Sequence, residues 1–212
     1  MRHALDLSLY LVLDPDLCAG YGMVETTRAA IAGGATVVQL RDKQADTTRM
    51  IETGRALKTA LAGTGVGLIV NDDVEAAIAI RADGLHIGQD DMTAAEARHL
   101  IGRDMVLGIS VHTRDLAAGV DPAVADYVGA GPVFATATKP GHNQPVGFPG
   151  LTEIIAAAPV PSVAIGGLKA EHARPVFAAG AAGLCVVSAI CGQPDPEGAT
   201  RRLARAIAEA RA

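Results

Sequence analysis

Residues 67–91, GLIVNDDVEAAIAIRADGLHIGQDD, contain the unit that decides the fold. Two short apolar runs, GLIVN (67–71) and GLHIG (84–88), flank the alanine-rich stretch VEAAIAIRA (74–82). Short apolar runs bounded by polar turn residues are typical of buried strands, and the stretch between them is typical of a short helix. Consecutive strands joined through a helix pair in parallel, so the segment predicts a β-α-β unit.

The same alternation runs through the whole chain. Six further apolar runs are LSLYLVL (7–13), TVVQL (36–40), MVLGIS (105–110), DYVGAG (126–131), SVAIGG (162–167) and GLCVVS (183–188). Helix-like stretches such as VETTRAAIAG and TRMIETGRALKTALAG lie between them, and glycines that suit left-handed helix ends follow several, at Gly33-Gly34, Gly63, Gly102 and Gly180. Eight strands with covered faces predict a single-domain (β/α)8 barrel over residues 1–212, near the lower size limit of that fold. An open doubly wound sheet is the alternative.

Composition narrows the function classes. The net charge of −5 argues against a broad nucleic-acid surface, and no apolar run reaches the length of a membrane span. Asp6 interrupts the apolar start, which therefore does not resemble a signal peptide. The odd number of cysteines, without metal-ligand spacing, predicts reduced structural thiols. We expect a soluble, cytoplasmic protein that binds small molecules; a homo-oligomer is possible, but the sequence does not decide it.

In a (β/α)8 barrel the reactive groups lie at the carboxyl ends of the strands, so the polar residues at these exits are the candidates for the site. The second strand continues as VVQLRDK, which places Gln39, Arg41 and Lys43 two residues apart. Alternate residues of a strand share one face, so the three side chains can converge on one ligand. An amide followed by two cations suits a heteroaromatic ring with an anionic tail. A solvated pair of rim charges is the alternative.

Carboxylates follow the third and fourth strands, in Asn71-Asp72-Asp73 and Asp90-Asp91. Neighbouring strands are about 4.8 Å apart, so carboxylates at both exits repel one another unless a cation lies between them. Two carboxylates that share a cation with phosphate oxygens and water are typical of Mg²⁺. The alternative is helix capping, and we expect one aspartate of each adjacent pair to cap the following helix.

Donors follow the remaining strands. Ser110 shares parity with Val106 and Gly108, so we expect it to face the barrel mouth and donate to a leaving phosphate. The long loop of residues 131–150 contains Thr136, Thr138 and Lys139, and we expect it to cover the substrate.

The last two strands end in Gly166-Gly167 and Val187-Ser188, where this fold often binds phosphate. Two anion sites, and hence two anionic substrates, follow as the natural hypothesis. For His86, His112 and His142 a structural or solvated role is the favoured interpretation.

Seven segments of the chain, taken in order, resemble those of the thiamine-phosphate synthase family. They are QLRDK, VNDD, HIGQDD, GISVHT, GPVFATATKPG, AIGG and VVSAI. The resemblance runs from about residue 8 to residue 191, and it rests on seven segments at seven strand exits. It implies a Mg²⁺-dependent transfer of the 4-amino-2-methylpyrimidine methylene group from pyrophosphate to the nitrogen of thiazole phosphate, which releases pyrophosphate.

The resemblance also implies a role for each matching residue. The pyrimidine pyrophosphate would be held by Gln39, Arg41, Lys43, Asn71, Ser110 and Lys139, of which Arg41, Ser110 and Lys139 would act in catalysis. Mg²⁺ would be held by Asp72 and Asp91. Thiazole phosphate would be held by Thr136, Thr138, Gly167, Val187 and Ser188. Val187 stands where the family commonly has the larger isoleucine.

Three other functions remain open from the sequence. A phosphosugar isomerase or epimerase on the same barrel would need an opposed acid and base, and no such His or Glu pair is evident. A thiazole tautomerase of the same family would have no pyrophosphate for Arg41, Lys43 and Lys139 to bind. A non-catalytic ligand-binding homologue is the third alternative.

Overall fold

The computed structural model describes residues 5–136 and 144–212, and eight parallel strands in it close into a barrel in chain order. The strands are β1 Leu9–Val12, β2 Val37–Leu40, β3 Gly67–Asn71, β4 Gly84–Ile87, β5 Val106–Val111, β6 Tyr127–Ala130, β7 Ser162–Ile165 and β8 Gly183–Val186. Pairing of β1 with β8 completes the ring. The predicted (β/α)8 barrel is confirmed, and the open sheet is wrong.

A helix follows each strand and covers the barrel from outside. The helices are α1 Met23–Gly33, α2 Thr47–Leu61, α3 Val74–Ala79, α4 Ala94–Ile101, α5 Arg114–Ala118, α6 Gly147–Ala157, α7 Ala173–Ala178 and α8 Pro196–Arg211. Within the described part of the chain, none of these helices combines the length and apolar character that a membrane crossing requires.

Strand parity divides the core into two layers. One set of strand residues, including Leu11, Val38 and Leu68, faces outward and packs against the helices. The opposite set fills the barrel and includes Tyr10, Val37, Ile69, Tyr127 and Cys185. Gln39 and His86 have the inward parity and are buried with the second set. The interior is therefore apolar at its base and increasingly polar toward the carboxyl ends of the strands.

The helix ends depart in part from the sequence expectation. Gly34 is a left-handed C-cap of α1, as predicted, whereas Gly33 is the last helical residue. The cap of α2 is Ala62, with Gly63 one residue later, and Gly102 has positive φ but an extended ψ. Gly180 follows the α7 cap by one residue. Gly63 and Gly180 have φ of 76° and 92° directly after the cap, where a left-handed glycine commonly ends a helix, so they agree with the expectation together with Gly34.

The aspartate caps also differ between the two predicted pairs. Asp73 caps α3 by accepting a hydrogen bond from the Ala76 amide at 2.8 Å, as expected for the first pair. Neither Asp90 nor Asp91 caps α4. Thr93 does so in a reciprocal capping box with Glu96, because α4 begins later than a cap at Asp91 would require.

Candidate active site

A cavity of about 800 Å³ opens at the carboxyl ends of the strands. All eight strands, or the turns that directly follow them, contribute residues to its wall. This volume lies in the range of small-molecule sites, and the location is the one that (β/α)8-barrel enzymes use. The cavity is therefore the candidate active site.

The three residues predicted at the exit of β2 all line this cavity. Gln39 is buried inside the barrel, Arg41 is half-buried at the rim, and Lys43 is exposed. The Lys43 ammonium forms a short salt bridge with the Asp72 carboxylate of the neighbouring exit. The neutral Gln39 amide therefore lies deep in the cavity, and the two cationic side chains lie at its mouth.

Asp72 occupies an unusual position directly after β3. Its φ of 61° lies in the left-handed region, where a non-glycine residue is strained, although aspartate tolerates it better than most. Its amide donates to the His86 carbonyl oxygen at 2.8 Å, which ties the turn to β4. Asn71 donates to its carboxylate at 2.5 Å. The backbone thus holds this carboxylate against the fourth strand exit.

Asp72 and Asp91 lie close enough to influence one another. Burial raises the pKa of the Asp72 carboxyl, the adjacent Asp91 carboxyl raises it further, and Lys43 lowers it. Asp91 accepts a hydrogen bond from the Gly88 amide at 2.7 Å, which fixes its side chain over the β4 exit. Two carboxylates held together in this way fit a divalent cation.

The donor set also limits what kind of metal this cavity would hold. Across residues 5–136 and 144–212, no three His, Cys, Asp or Glu side chains come together as ligands. A cation held by Asp72 and Asp91 would therefore take its remaining ligands from substrate oxygens and water. That sparse protein coordination is usual for Mg²⁺ bound with phosphates.

A chain of hydrogen bonds crosses the floor of the cavity. Gln39 Nε2 donates to Tyr10 Oη at 2.7 Å, and Tyr10 Oη lies 2.9 Å from Tyr127 Oη. Tyr127 Oη lies 2.9 Å from His86 Nδ1, and His86 Nε2 lies 2.9 Å from Ser110 Oγ. Burial raises the pKa of both tyrosine hydroxyls well above the usual range, so both stay protonated. Ser110 faces the cavity, as its parity predicted.

The opposite side of the cavity is formed by the turns after β7 and β8. Gly166 and Gly167 have φ of 105° and 64°, and a Cβ on Gly167 would lie 2.8 Å from Phe134 Cβ. Only glycine fits this close approach with that backbone conformation. Val187 is half-buried and Ser188 exposed, and both line the cavity one and two residues after β8 ends. The turns after β7 and β8 therefore place backbone and hydroxyl donors on this side of the cavity, and their cavity-lining residues include no cationic side chain.

The loop after β6 is described at its two ends. The Val146 and Gly147 amides donate to the Pro132 and Val133 carbonyl oxygens at 2.9 and 3.0 Å, which brings the ends together. Thr136 lines the cavity, as expected. Thr138, Lys139 and His142 lie outside the described residues.

The sequence interpretation missed several residues of the site. Tyr10 and Tyr127 were included in apolar strand runs, and His86 was assigned a structural role. Gln89 also lines the cavity and donates to the Ser110 carbonyl oxygen at 2.6 Å. The two tyrosines and His86 lie at inward strand positions, as Gln39 and Ser110 do. A search for polar side chains at inward positions would therefore have identified them.

Comparison with known proteins agrees with this geometry. The family model described as thiamine monophosphate synthase matches residues 9–190. The thiamine-phosphate synthases of Xanthobacter autotrophicus and Laribacter hongkongensis are each 46% identical, over 100% and 96% of both chains respectively. A solved thiamine phosphate pyrophosphorylase from Pyrococcus furiosus is 35% identical, with a TM-score of 0.88 over 97% of each chain. The predicted resemblance is confirmed: the chain belongs to the thiamine monophosphate synthase family.

Proposed function

We propose that the chain is a transferase that forms thiamine phosphate. It moves the 4-amino-2-methylpyrimidine methylene group from pyrophosphate to the nitrogen of thiazole phosphate and releases pyrophosphate. One observation carries this proposal: a single cavity has two chemically different sides. Cationic and carboxylate side chains lie on one side, and the glycine turn after β7 lies on the other. Full-length similarity to thiamine-phosphate synthases supports it.

The pyrimidine pyrophosphate binds on the side of β2 to β5. Gln39 and Asn71 face the ring, and Arg41, Lys43 and the Ser110 hydroxyl face the pyrophosphate oxygens. Cationic donors stabilise an anionic leaving group most when water is excluded from the site. Lys139 adds a further cation in this proposal, on the basis of the sequence resemblance.

Asp72 and Asp91 would hold Mg²⁺ at the rim of the cavity. The cation, when bound, supplies positive charge to the pyrophosphate oxygens and so makes pyrophosphate a better leaving group. The proximity of the two carboxylates and the raised pKa of Asp72 support this assignment. Lys43 forms an ion pair with Asp72 in the structure, so its ammonium and this carboxylate lie at the same part of the rim.

Thiazole phosphate binds on the side of β7 and β8. Its phosphate is surrounded by the backbone amides of the Gly166-Gly167 turn, the backbone around Val187 and the Ser188 hydroxyl. Thr136 and Thr138 add hydroxyl donors. Neutral donors of this kind bind a phosphate monoester without competing for the cation on the other side of the cavity.

The reaction needs no activated nucleophile. The bond between the methylene carbon and the pyrophosphate oxygen breaks with both electrons leaving on oxygen, while the pyrimidine amino group stabilises the methylene cation. The lone pair of the thiazole nitrogen then forms the new carbon–nitrogen bond. The protein contributes by neutralising the leaving group, excluding water and holding the two substrates in line.

Release of pyrophosphate by the purified protein tests this function. We expect release that requires both substrates and Mg²⁺ together. A tautomerase would convert the thiazole phosphate alone, an isomerase would act on a sugar phosphate, and a binding protein would release nothing. Any of these three results, without release from the substrate pair, would contradict the proposal.

A further inference from the structure

The hydrogen-bond chain across the barrel floor joins two groups that the proposed function places on the same substrate. Gln39 at one end faces the pyrimidine ring, and Ser110 at the other end faces the pyrophosphate. Between them lie Tyr10, Tyr127 and His86, from three further strands. Five strands therefore contribute to one connected set of polar side chains in an otherwise apolar interior.

The donor and acceptor roles in this chain follow from its first member. Gln39 Nε2 can only donate, so Tyr10 Oη accepts from it. Among the described residues, Tyr127 is then the hydrogen-bond partner to which the Tyr10 hydroxyl can give its proton, and a buried hydroxyl proton left unpaired is costly. Tyr127 in turn donates to His86 Nδ1, which leaves the proton of the neutral imidazole on Nε2.

The result is a chain with one direction. His86 Nε2 donates to Ser110 Oγ, so the serine hydroxyl must turn its own proton elsewhere, toward a group in the cavity. At the other end, the orientation of the Gln39 amide leaves its carbonyl oxygen as an acceptor, which suits an amino group on the ring. Both ends thus present the polarity that an aminopyrimidine pyrophosphate requires.

The barrel is built to accommodate this chain. Gly108 of β5 has inward parity, and a Cβ there would lie 2.1 Å from the Tyr127 ring. Gly129 of β6 is opposite His86, where a Cβ would lie 3.2 Å from the imidazole. Both strand positions therefore lack a side chain where the tyrosine and histidine rings need the space.

We propose that His86 and Tyr127 are positioning residues, which orient the Ser110 hydroxyl as a hydrogen-bond donor to the departing pyrophosphate. They act through Ser110 and do not touch the reacting atoms. Tyr10 links this arrangement to the Gln39 amide, so that the ring-binding and leaving-group ends are ordered together. The inference rests on the proposed function.

A double-mutant cycle on pyrophosphate release tests it. Tyr127→Phe keeps the ring but removes the hydroxyl, and we expect kcat to fall about 10-fold to 100-fold, the usual cost of losing a residue that orients another. In a Ser110→Ala background the same substitution should change kcat less than twofold, because the hydroxyl that it orients is already gone. KM for thiazole phosphate should stay unchanged throughout. Tyr21→Phe, which removes a surface hydroxyl bonded to the Pro194 carbonyl oxygen, is the matched control.

A second cycle with His86→Asn, also measured with and without Ser110→Ala, keeps the test valid if Tyr127→Phe does not fold. Equal kcat losses from Tyr127→Phe or His86→Asn in both backgrounds would show that these residues only pack, and the inference would fail. A normal kcat in both single variants would overturn it as well. If the unsubstituted protein releases no pyrophosphate from the two substrates, the proposed function itself fails, which is a different result.

Discussion

At the scale of single residues, the two aspartates of the cavity rim have no helix to cap. Asp73 and Thr93 cap α3 and α4. Asp72 is held in a left-handed conformation and Asp91 accepts from the Gly88 amide. Backbone strain of this kind is concentrated at functional sites. Helix capping therefore does not account for these two positions, which is consistent with the proposed metal role.

Asp72→Asn and Asp91→Asn test this assignment. Each variant keeps a side-chain oxygen but removes one charge, and Mg²⁺ favours anionic oxygen. We expect each to raise the Mg²⁺ concentration needed for half-maximal pyrophosphate release, while the free energy of unfolding changes by less than about 1 kcal/mol. The double variant should lose most of its activity and its metal dependence together, because the two ligands act as a unit.

Asp73→Asn is the matched control, since asparagine caps a helix about as well as aspartate. Its Mg²⁺ titration should superimpose on that of the unsubstituted protein, and its melting curve should hardly move. If the Mg²⁺ response of Asp72→Asn and Asp91→Asn matches that of this control, the metal assignment is wrong.

The sequence predicts a polar site residue where its spacing along a strand shows that its side chain points to the same side as its neighbours in the site. Gln39, Arg41 and Lys43 have a period of two, and Ser110 has the parity of its strand. Tyr10 and Tyr127 could not be assigned in this way, because each lies in an apolar run and looks like a core residue. Their hydrogen bond joins β1 to β6 across the interior, a contact that exists only after the barrel has closed.

At the scale of secondary-structure elements, all eight strands could be predicted, and the bounds of β3 agree with the run GLIVN, but several other strand ends do not agree. The apolar run GLCVVS predicts a strand to residue 188, yet β8 ends at Val186. Val187 and Ser188 therefore belong to the following turn. The reason is physical: hydrophobicity marks burial, and Val187, the first residue of this turn, remains half-buried although the strand has ended.

The turn after β7 is the element on which the thiazole phosphate site most depends. Alanine at Gly167 would be strained at φ 64° and would lie 2.9 Å from the Ala135 carbonyl oxygen. We expect Gly167→Ala to raise KM for thiazole phosphate about 10-fold to 100-fold, the equivalent of one charge-assisted hydrogen bond. Left-handed strain should also reduce the free energy of unfolding by at least about 1–2 kcal/mol. Steady-state kinetics and a denaturant titration measure the two effects.

Gly63→Ala separates these effects, because Gly63 has a similar φ of 76° and no atom within 4 Å of a Cβ. It should show the backbone cost in stability with an unchanged KM. An unchanged KM in Gly167→Ala too would remove that turn from the substrate site.

At the scale of the whole molecule, the two ends of the barrel have different tasks. Arg98 lies at the amino-terminal end, opposite the cavity, and donates to the carbonyl oxygens of Gly102, Met105 and Val124 at 2.7–2.9 Å. It also forms a salt bridge of 2.6 Å with Asp126, whose carboxylate accepts from the Leu107 amide. Both side chains are more than four-fifths buried. This cluster ties α4 to β5 and β6.

We expect Arg98→Ala to destabilise the fold by about 2–4 kcal/mol, because it removes the paired cation from a largely buried carboxylate and a donor from three carbonyl oxygens. For a chain of this size Tm should fall by roughly 4–16 °C. Well below Tm, kcat and KM should stay within about twofold of normal, as residues at this end of the barrel serve stability. Arg28→Ala, at an exposed pair with Glu25, should change neither. A large loss of kcat in folded Arg98→Ala would argue against this division.

The central claim is that one barrel mouth holds two anionic substrates on opposite sides. A crystal structure of the protein with Mg²⁺, pyrophosphate and thiamine phosphate tests it most directly. The account predicts pyrophosphate against Arg41 and Lys43, the cation between Asp72 and Asp91, and the thiazole phosphate on the turns after β7 and β8. Pyrophosphate on the β7–β8 side, or a cation away from both aspartates, would contradict it.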